Sequence, residues 1–238
     1  MERHTLKMAA RTHVGLVRLN NEDFVFSDAT QGIAVLADGM GGLFAGEDAS
    51  AVAVEAVRRQ LLDENFAVTS TAQIEQLVRH AHEVLLEYAE TQNYVGKMGT
   101  TLVVWVALGG CSYFAHVGDS RLYHHDGDEL HLVSKDHTVA QRLLDMGALT
   151  PRQAQMSPKR HVLTQGLGLP GVIHPQTGSL NLNGRFLLCS DGLSDLVPTA
   201  RIAELMAAAD IEAAATELVR LALDEGGQDN ISLILIEA

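Results

Sequence analysis

The chain has only two cysteines in 238 residues and no CxxC pair. Cys111 and Cys189 lie far apart in apolar, strand-like runs, so zinc-ribbon and thioredoxin-like readings fail. Buried free thiols in a reducing cytosol fit both positions. Proline is scarce, at five positions. No Pro/Gly/Ser-rich linker and no internal repeat divides the sequence, which reads as a single domain over residues 1–238. No run approaches the ~18 apolar residues of a membrane span. The opening MERHTLKMAARTHVG lacks the apolar stretch of a secretory signal. Basic residues are also in deficit, 17 Lys and Arg against 30 Asp and Glu, for a formal charge of −13. Nucleic acid and anionic membranes both require a basic surface, so neither is expected as a partner. A globular, cytoplasmic protein is expected, with 47% hydrophobic residues to build a core.

The run Gly32–Ala37 is continuously apolar and suits a strand buried on both faces. Weaker strands are expected over Thr12–Arg18 and Glu22–Ser27. Two amphipathic helices follow, Glu47 to about Asp63 and about Ala72 to Glu90. His80 and His82 lie off or beside the second helix's apolar stripe and read as solvated surface, since no further zinc ligands stand nearby. Strands are expected over Thr101–Leu108, Ser112–Val117, Arg121–His125 and Glu129–Val133, the last two joined at Asp126-Gly127. A helix over His137–Met146 precedes Thr150-Pro151-Arg152-Gln153, which supplies an N-cap, Pro at N1 and a capping-box Gln. Residues 157–178 carry three Pro and four Gly without a clear period and read as irregular, mobile chain. Beyond them come a strand at Arg185–Cys189, a short helix at Gly192–Leu196, a helix from N-cap Asp210 to Leu223, and a strand at Ile231–Ile236. Strands in groups and helices in pairs point to packed sheets flanked by helices, not to a doubly wound parallel sheet.

The informative pattern lies in the aspartates. Of three Asp-Gly pairs, Asp126-Gly127 reads as an ordinary hairpin turn. Asp38-Gly39 and Asp191-Gly192 each end a run that looks buried and lead toward a helix. A carboxylate in such a place is costly unless a cation meets it. Asp119, Asp229 and the pair Glu22-Asp23 also fall at strand ends. One reading is a set of separate caps and turns. The other is convergence at one sheet edge, where oxygen ligands without Cys or His would select Mg²⁺ or Mn²⁺.

Taken in order, RLNNED (18–23), ADGMGG (37–42), GTT (99–101), HVGDSR (116–121), KDH (135–137), LTQGLG (163–168), SDGLSD (190–195) and DNIS (229–232) resemble the motifs of the metal-dependent protein phosphatases of type 2C, in their short bacterial form. The resemblance implies an α+β fold, a four-layer αββα sandwich of two antiparallel sheets with helices outside. It implies hydrolysis of phosphoserine and phosphothreonine in proteins at a pair of Mn²⁺ or Mg²⁺ ions, by direct attack of an activated water without a phosphoenzyme. Carried over by motif position, Asp38 bridges both ions, the Gly39 carbonyl binds the first, and Asp191 and Asp229 complete the second. Asp119, with Asp191 and Asp195, matches a weaker third site. Glu22 and Asp23 hold ion-bound waters, Asn230 stands with them outside the ion ligands, and Arg18 grips the substrate phosphate. The partners implied are phosphoproteins and a cognate Ser/Thr kinase, and the expected state is a monomer. The segment 148–178 corresponds to the family's flap beside the active site.

Two positions depart from the family pattern. Met40 stands where many eukaryotic members carry the histidine proposed to protonate the leaving alcohol. His161 is a substitute on this reading, although an exposed loop histidine is its default status. Gln165-Gly166 replaces the arginine that often precedes the final Leu-Gly of the flap motif. Two other functions stay open at this point: a phosphatase of small phosphomonoesters, and a catalytically silent phosphoprotein-binding scaffold.

Overall fold

The computed structural model describes residues 6–41, 45–208 and 210–238, so Gly42 of the ADGMGG motif lies outside the described residues. Its strands are β1 (Lys7–His13), β2 (Asp23–Asp28), β3 (Ile33–Met40), β4 (Gly99–Thr100), β5 (Leu102–Leu108), β6 (Cys111–Val117), β7 (Arg121–His125), β8 (Leu130–Leu132), β9 (Gln176–Asn181), β10 (Arg185–Cys189) and β11 (Ile231–Glu237). The helices are α1 (Ala45–Leu61), α2 (Thr71–Gln92), α3 (Val139–Asp145), α4 (Pro151–Gln155), α5 (Asp191–Ser194), α6 (Thr199–Met206) and α7 (Ile211–Asp224). One sheet runs β1-β11-β10-β7-β8 and the other β2-β3-β5-β6-β9, with β4 paired to β3. Every pairing is antiparallel.

The continuous apolar runs have a direct explanation, because both faces of the central strands are covered. Ala34, Leu36, Val103, Trp105 and Phe114 of one sheet meet Leu122, Phe186, Leu188, Ile234 and Ile236 of the other. The alternate residues Val35, Ala37, Leu102 and Val104 face α1 and α2. Leu187, Cys189, Leu233 and Leu235 face α6 and α7. Period-two alternation therefore sorts apolar side chains between two cores instead of between core and water. The result is the expected four-layer αββα sandwich.

Some boundaries differ from the sequence expectation. The first strand is Lys7–His13, not Thr12–Arg18, because β1 pairs along its whole length with β11 while the chain turns at Gly15, where φ is +83°. The eight residues of α6 were too few to show a period, and polar QTGSLN forms β9 because the edge of β6 recruits it. His82 is not solvated. It is buried, its Nδ1 accepts the Gly168 N–H at 3.1 Å, and its Nε2 lies 3.2 Å from the Gly171 carbonyl. Residues 157–175 are irregular as expected, but bridges Thr138–Leu163 and Thr100–Leu167 pin them. The capping box at Thr150 and Gln153 forms as read, and Asp210 caps α7 through the N–H groups of Glu212 and Ala213.

Candidate metal centre

The two sheets meet at one end in a cleft of about 880 Å³. Asp23 on β2 stands opposite Asp38 on β3 in the register of one sheet. From the other sheet, Asp191 follows β10 at the start of α5, and Asp229 immediately precedes Asn230 and β11. Asp119 lies in the short crossing between β6 and β7, which belong to different sheets. Separate caps and turns would have scattered these groups, whereas the topology gathers them.

The glycines show why two of the Asp-Gly pairs are not hairpin turns. A methyl on Gly39 would collide with the backbone of Gly46 and Glu22, and one on Gly192 with the Asn230 carbonyl. Glycine therefore lets another segment close in beside each aspartate. At Gly127 nothing lies within 4 Å, φ is +113°, and the pair is the plain turn it resembled.

The carboxylates differ in their surroundings. Burial first, then the charges of Asp23, Asp191, Asp119 and Asp229, hold Asp38 well above the ordinary carboxylate range. Burial pushes Asp23 up to about 7, against hydrogen bonds from Ser232 and Ser190 that pull it down. Burial likewise raises Asp119 to about 8, with Asp191 and Asp136 adding repulsion. Among the described residues no ion pair reaches Asp38, Asp23 or Asp119, and Asp23 Oδ1 is buried without a hydrogen-bond partner. Buried carboxylates that repel one another and have no ion-pair partner either keep a proton or take up cations. An all-oxygen set of Asp38, Asp191, Asp229 and the Gly39 carbonyl fits hard divalent ions.

Arg18, Glu22, Asp38, Gly39, Asp119, His161, Asp191, Asp195, Asp229 and Asn230 all line this cleft. Asp23 is the exception, since it lies beneath the wall, where Ser190 Oγ donates to its Oδ2 at 2.9 Å and ties β10 to β2. Arg18 Nη2 donates to Asp229 Oδ2 at 2.7 Å, and that bond raises the guanidinium's already high pKa. Glu22 is raised by partial burial. The Asn230 amide closes the loop that carries Arg18. Its Oδ1 accepts the Glu22 N–H at 2.8 Å, and its Nδ2 donates to the carbonyls of Val14 and Asn20, both at 2.9 Å.

His161 is not a free loop histidine. Its Nδ1 lies 3.2 Å from Asp191 Oδ2 and its Nε2 3.2 Å from Asp195 Oδ2. The Asp191 bond, ahead of the Asp195 charge, raises its imidazole. Ligand atoms of Asp119, His161 and Asp191 lie within 4.8 Å of one another. Asp195 is raised by burial and by Asp191. Sequence reasoning missed the hydroxyls that hold the floor. The Asp38 N–H donates to Thr101 Oγ1 at 2.9 Å, Thr101 Oγ1 and Ser120 Oγ are 2.7 Å apart, and Thr100 Oγ1 donates to the Asp38 carbonyl at 2.9 Å. The signal was present in the threonines of the GTT motif, to which no role was given.

A family model described as protein phosphatase 2C matches residues 17–231. The chain belongs to the protein phosphatase 2C family. The serine/threonine protein phosphatase PstP of Mycobacterium tuberculosis is 36% identical over 233 residues, covering 98% of this chain and 45% of that protein. The chain thus spans about half the length of PstP. The protein phosphatase PhpP of Streptococcus pneumoniae is 33% identical over 241 residues, 97% of each chain. A crystal structure of the Mycobacterium tuberculosis phosphatase superposes with a TM-score of 0.89 at 36% identity, covering 98% of both chains. A second structure, the PstP catalytic domain in complex with two manganese ions, has a TM-score of 0.87 at 35% identity, covering 98% of this chain and 97% of that one. Within this type 2C chain, the Asp-Gly pairs at 38–39 and 191–192 are parts of the cleft, and Met40 lies on its wall.

Proposed function

We propose that the chain is a Mn²⁺- or Mg²⁺-dependent protein phosphatase that hydrolyses phosphoserine and phosphothreonine in proteins, opposing a cytoplasmic Ser/Thr kinase. The observation that carries this reading is the meeting of Asp38, Asp191 and Asp229 with Arg18 in one cleft. The family and the two manganese ions in the PstP catalytic domain support it. Residues 1–238 act on this reading as a single, monomeric catalytic domain, with a flap over 148–178. Among the described residues no helix is long and apolar enough to cross a membrane, and free Cys111 and Cys189 suit a reducing compartment.

Asp38 and the Gly39 carbonyl, with Asp191 and Asp229, would hold two ions, while Glu22, Asp23 and Asn230 order their surroundings. Asp119, Asp191 and Asp195 would hold a weaker third. When bound, the cations screen the charge of the phosphate and make water nucleophilic at neutral pH. Arg18 presents a planar fork of donors and would exchange Asp229 for the phosphate oxygens of the substrate. Met40 cannot give a proton to the leaving alkoxide. On this reading His161, which lines the cleft, would take that role. Asp191 and Asp195 hold both of its nitrogens, so the ring keeps a proton and a fixed orientation.

The test is phosphate release from a phosphothreonine peptide in EDTA and after Mn²⁺ is restored, for wild type and Asp38→Ala. Release that needs Mn²⁺ and vanishes in the variant is expected. Hydrolysis of small phosphate esters alone would move the substrate class, and Mn²⁺ binding without any hydrolysis would favour a silent phosphoprotein binder. Release that survives both EDTA and the substitution would end the two-ion mechanism.

A further inference from the structure

The loop before β2 sets three apolar side chains largely in water, Leu16 among them at 65% exposure. Leu19 is 96% exposed and Val17 65% exposed. The neighbouring Leu16 has a structural task, since its N–H donates to the Gly227 carbonyl at 2.7 Å and its side chain packs at Gly227. Val17 and Leu19 have none, yet their positions are fixed. The Asn230 amide bonds both the Val14 and the Asn20 carbonyls, closing the loop at its two ends. A mobile loop could hide its apolar residues, whereas a closed one presents them continuously to solvent.

Between these two residues stands Arg18, and all three line the same cleft as Asp38. A phosphate gripped by Arg18 therefore brings the residues beside the phosphorylated one onto Val17 and Leu19. Met40, Leu163 and Leu196 give further apolar surface to the cleft wall. Among the charged groups, Glu22 and Asp195 line the cleft, Arg160 also lines it but is paired to Asp195 at 3.6 Å, and the whole chain carries a formal charge of −13. An acidic neighbour of the phosphoresidue would meet repulsion there, while an apolar one would bury its side chain.

We propose that Val17 and Leu19 form an apolar contact for the substrate chain, and that the phosphoproteins handled here carry apolar, not acidic, residues beside the phosphorylated Ser or Thr. This inference rests on the phosphatase reading above and adds the substrate class.

The experiment uses phosphothreonine peptides that differ only in the flanking residues, Leu/Val, Ser or Glu. Their kcat/KM on the Mn²⁺-loaded protein is taken relative to that for p-nitrophenyl phosphate, a small ester that does not reach along the loop. The apolar set should exceed the acidic set by about tenfold, the scale of partly burying one aliphatic side chain. In the double variant Val17→Ser/Leu19→Ser that advantage should fall to about twofold, through KM. Equal kcat/KM for all peptides would overturn the proposal, as would an advantage that the double variant retains. An equal loss on peptide and small ester would also overturn it, because the loop would then be acting on catalysis. If wild type hydrolyses nothing, the small ester included, the phosphatase reading fails. Fluorescence anisotropy of the same labelled peptides then decides the apolar contact separately.

Discussion

Asn230 offers the sharpest test of how the cleft is built. Its side chain is 5% exposed with its residue and makes three hydrogen bonds to the 14–22 loop, one accepted and two donated. Asn230→Ala removes all three and leaves an N–H and two carbonyls to find water. At about 1 kcal/mol per net hydrogen bond, with unsatisfied buried groups costing more, the loss should be about 3 kcal/mol. That is a large share of the roughly 5–15 kcal/mol that holds a domain together. Asn230→Asp should cost at least as much, although it is nearly isosteric. It keeps an acceptor for the Glu22 N–H but turns a carboxylate oxygen toward two carbonyls and adds charge beside Asp229. The assay is urea unfolding in EDTA followed by far-UV circular dichroism, with an unchanged m-value separating stability from a change of unfolded state. The KM for a phosphopeptide in Mn²⁺ should rise as well, because the loop that presents Arg18 is loosened. A cost below about 1 kcal/mol for alanine, or an aspartate variant as stable as wild type, would refute the account of Asn230 as the clasp of that loop.

Burial raises Asp23 to about 7 and Asp119 to about 8, so the ion-free folded chain holds protons that the unfolded chain has released. Stability in EDTA should therefore fall as pH rises from about 4, where these carboxyls ionise in the unfolded chain, to about 8, where the last of them ionises in the folded one. Melting temperatures between about pH 4 and 8.5 check this, and a flat profile in EDTA below about pH 7, or an unchanged slope in Mn²⁺, counts against it. Arg18→Ala should raise the phosphopeptide KM without weakening Mn²⁺ binding in calorimetry, because Asp229 loses its competing partner. A collapse of Mn²⁺ affinity would show that Arg18 holds the site together. His82→Phe should strip the Gly168 N–H and the Gly171 carbonyl of their partner and cost about 2 kcal/mol. Limited proteolysis should then cut within residues 157–171 faster than in wild type, and an unchanged cutting rate would show that the histidine is not what fastens that segment.

The sequence made the buried strands plain because Gly32–Ala37, Thr101–Leu108 and Ile231–Ile236 are apolar on both faces, which only a doubly covered sheet requires. It made the cleft legible for a related reason: Asp38, Asp191 and Asp229 each interrupt or adjoin such a run. What it concealed was contact over distance. His82 looked solvated because a helical wheel contains no sign of a segment 86 residues later, and His161 looked loose because nothing local links it to Asp191 and Asp195. Likewise, β9 has almost no intrinsic strand character and owes its conformation to β6, where tertiary context outweighs propensity.

The strand order carries a consequence for how the molecule is made. The sheet β2-β3-β5-β6-β9 and its helices are complete once residue 181 has been synthesised. The sheet that covers its inner face is not, because β10 and β11 come last and, among the described residues, β1 pairs only with β11. A nascent chain stalled before Arg185 therefore bares Leu36, Val103, Trp105 and Phe114 to the ribosome's surroundings, and its first strand waits unpaired. Closure of such distant segments is slow. Truncations within the last third of the gene should accordingly yield aggregates and chaperone clients in place of a smaller soluble protein.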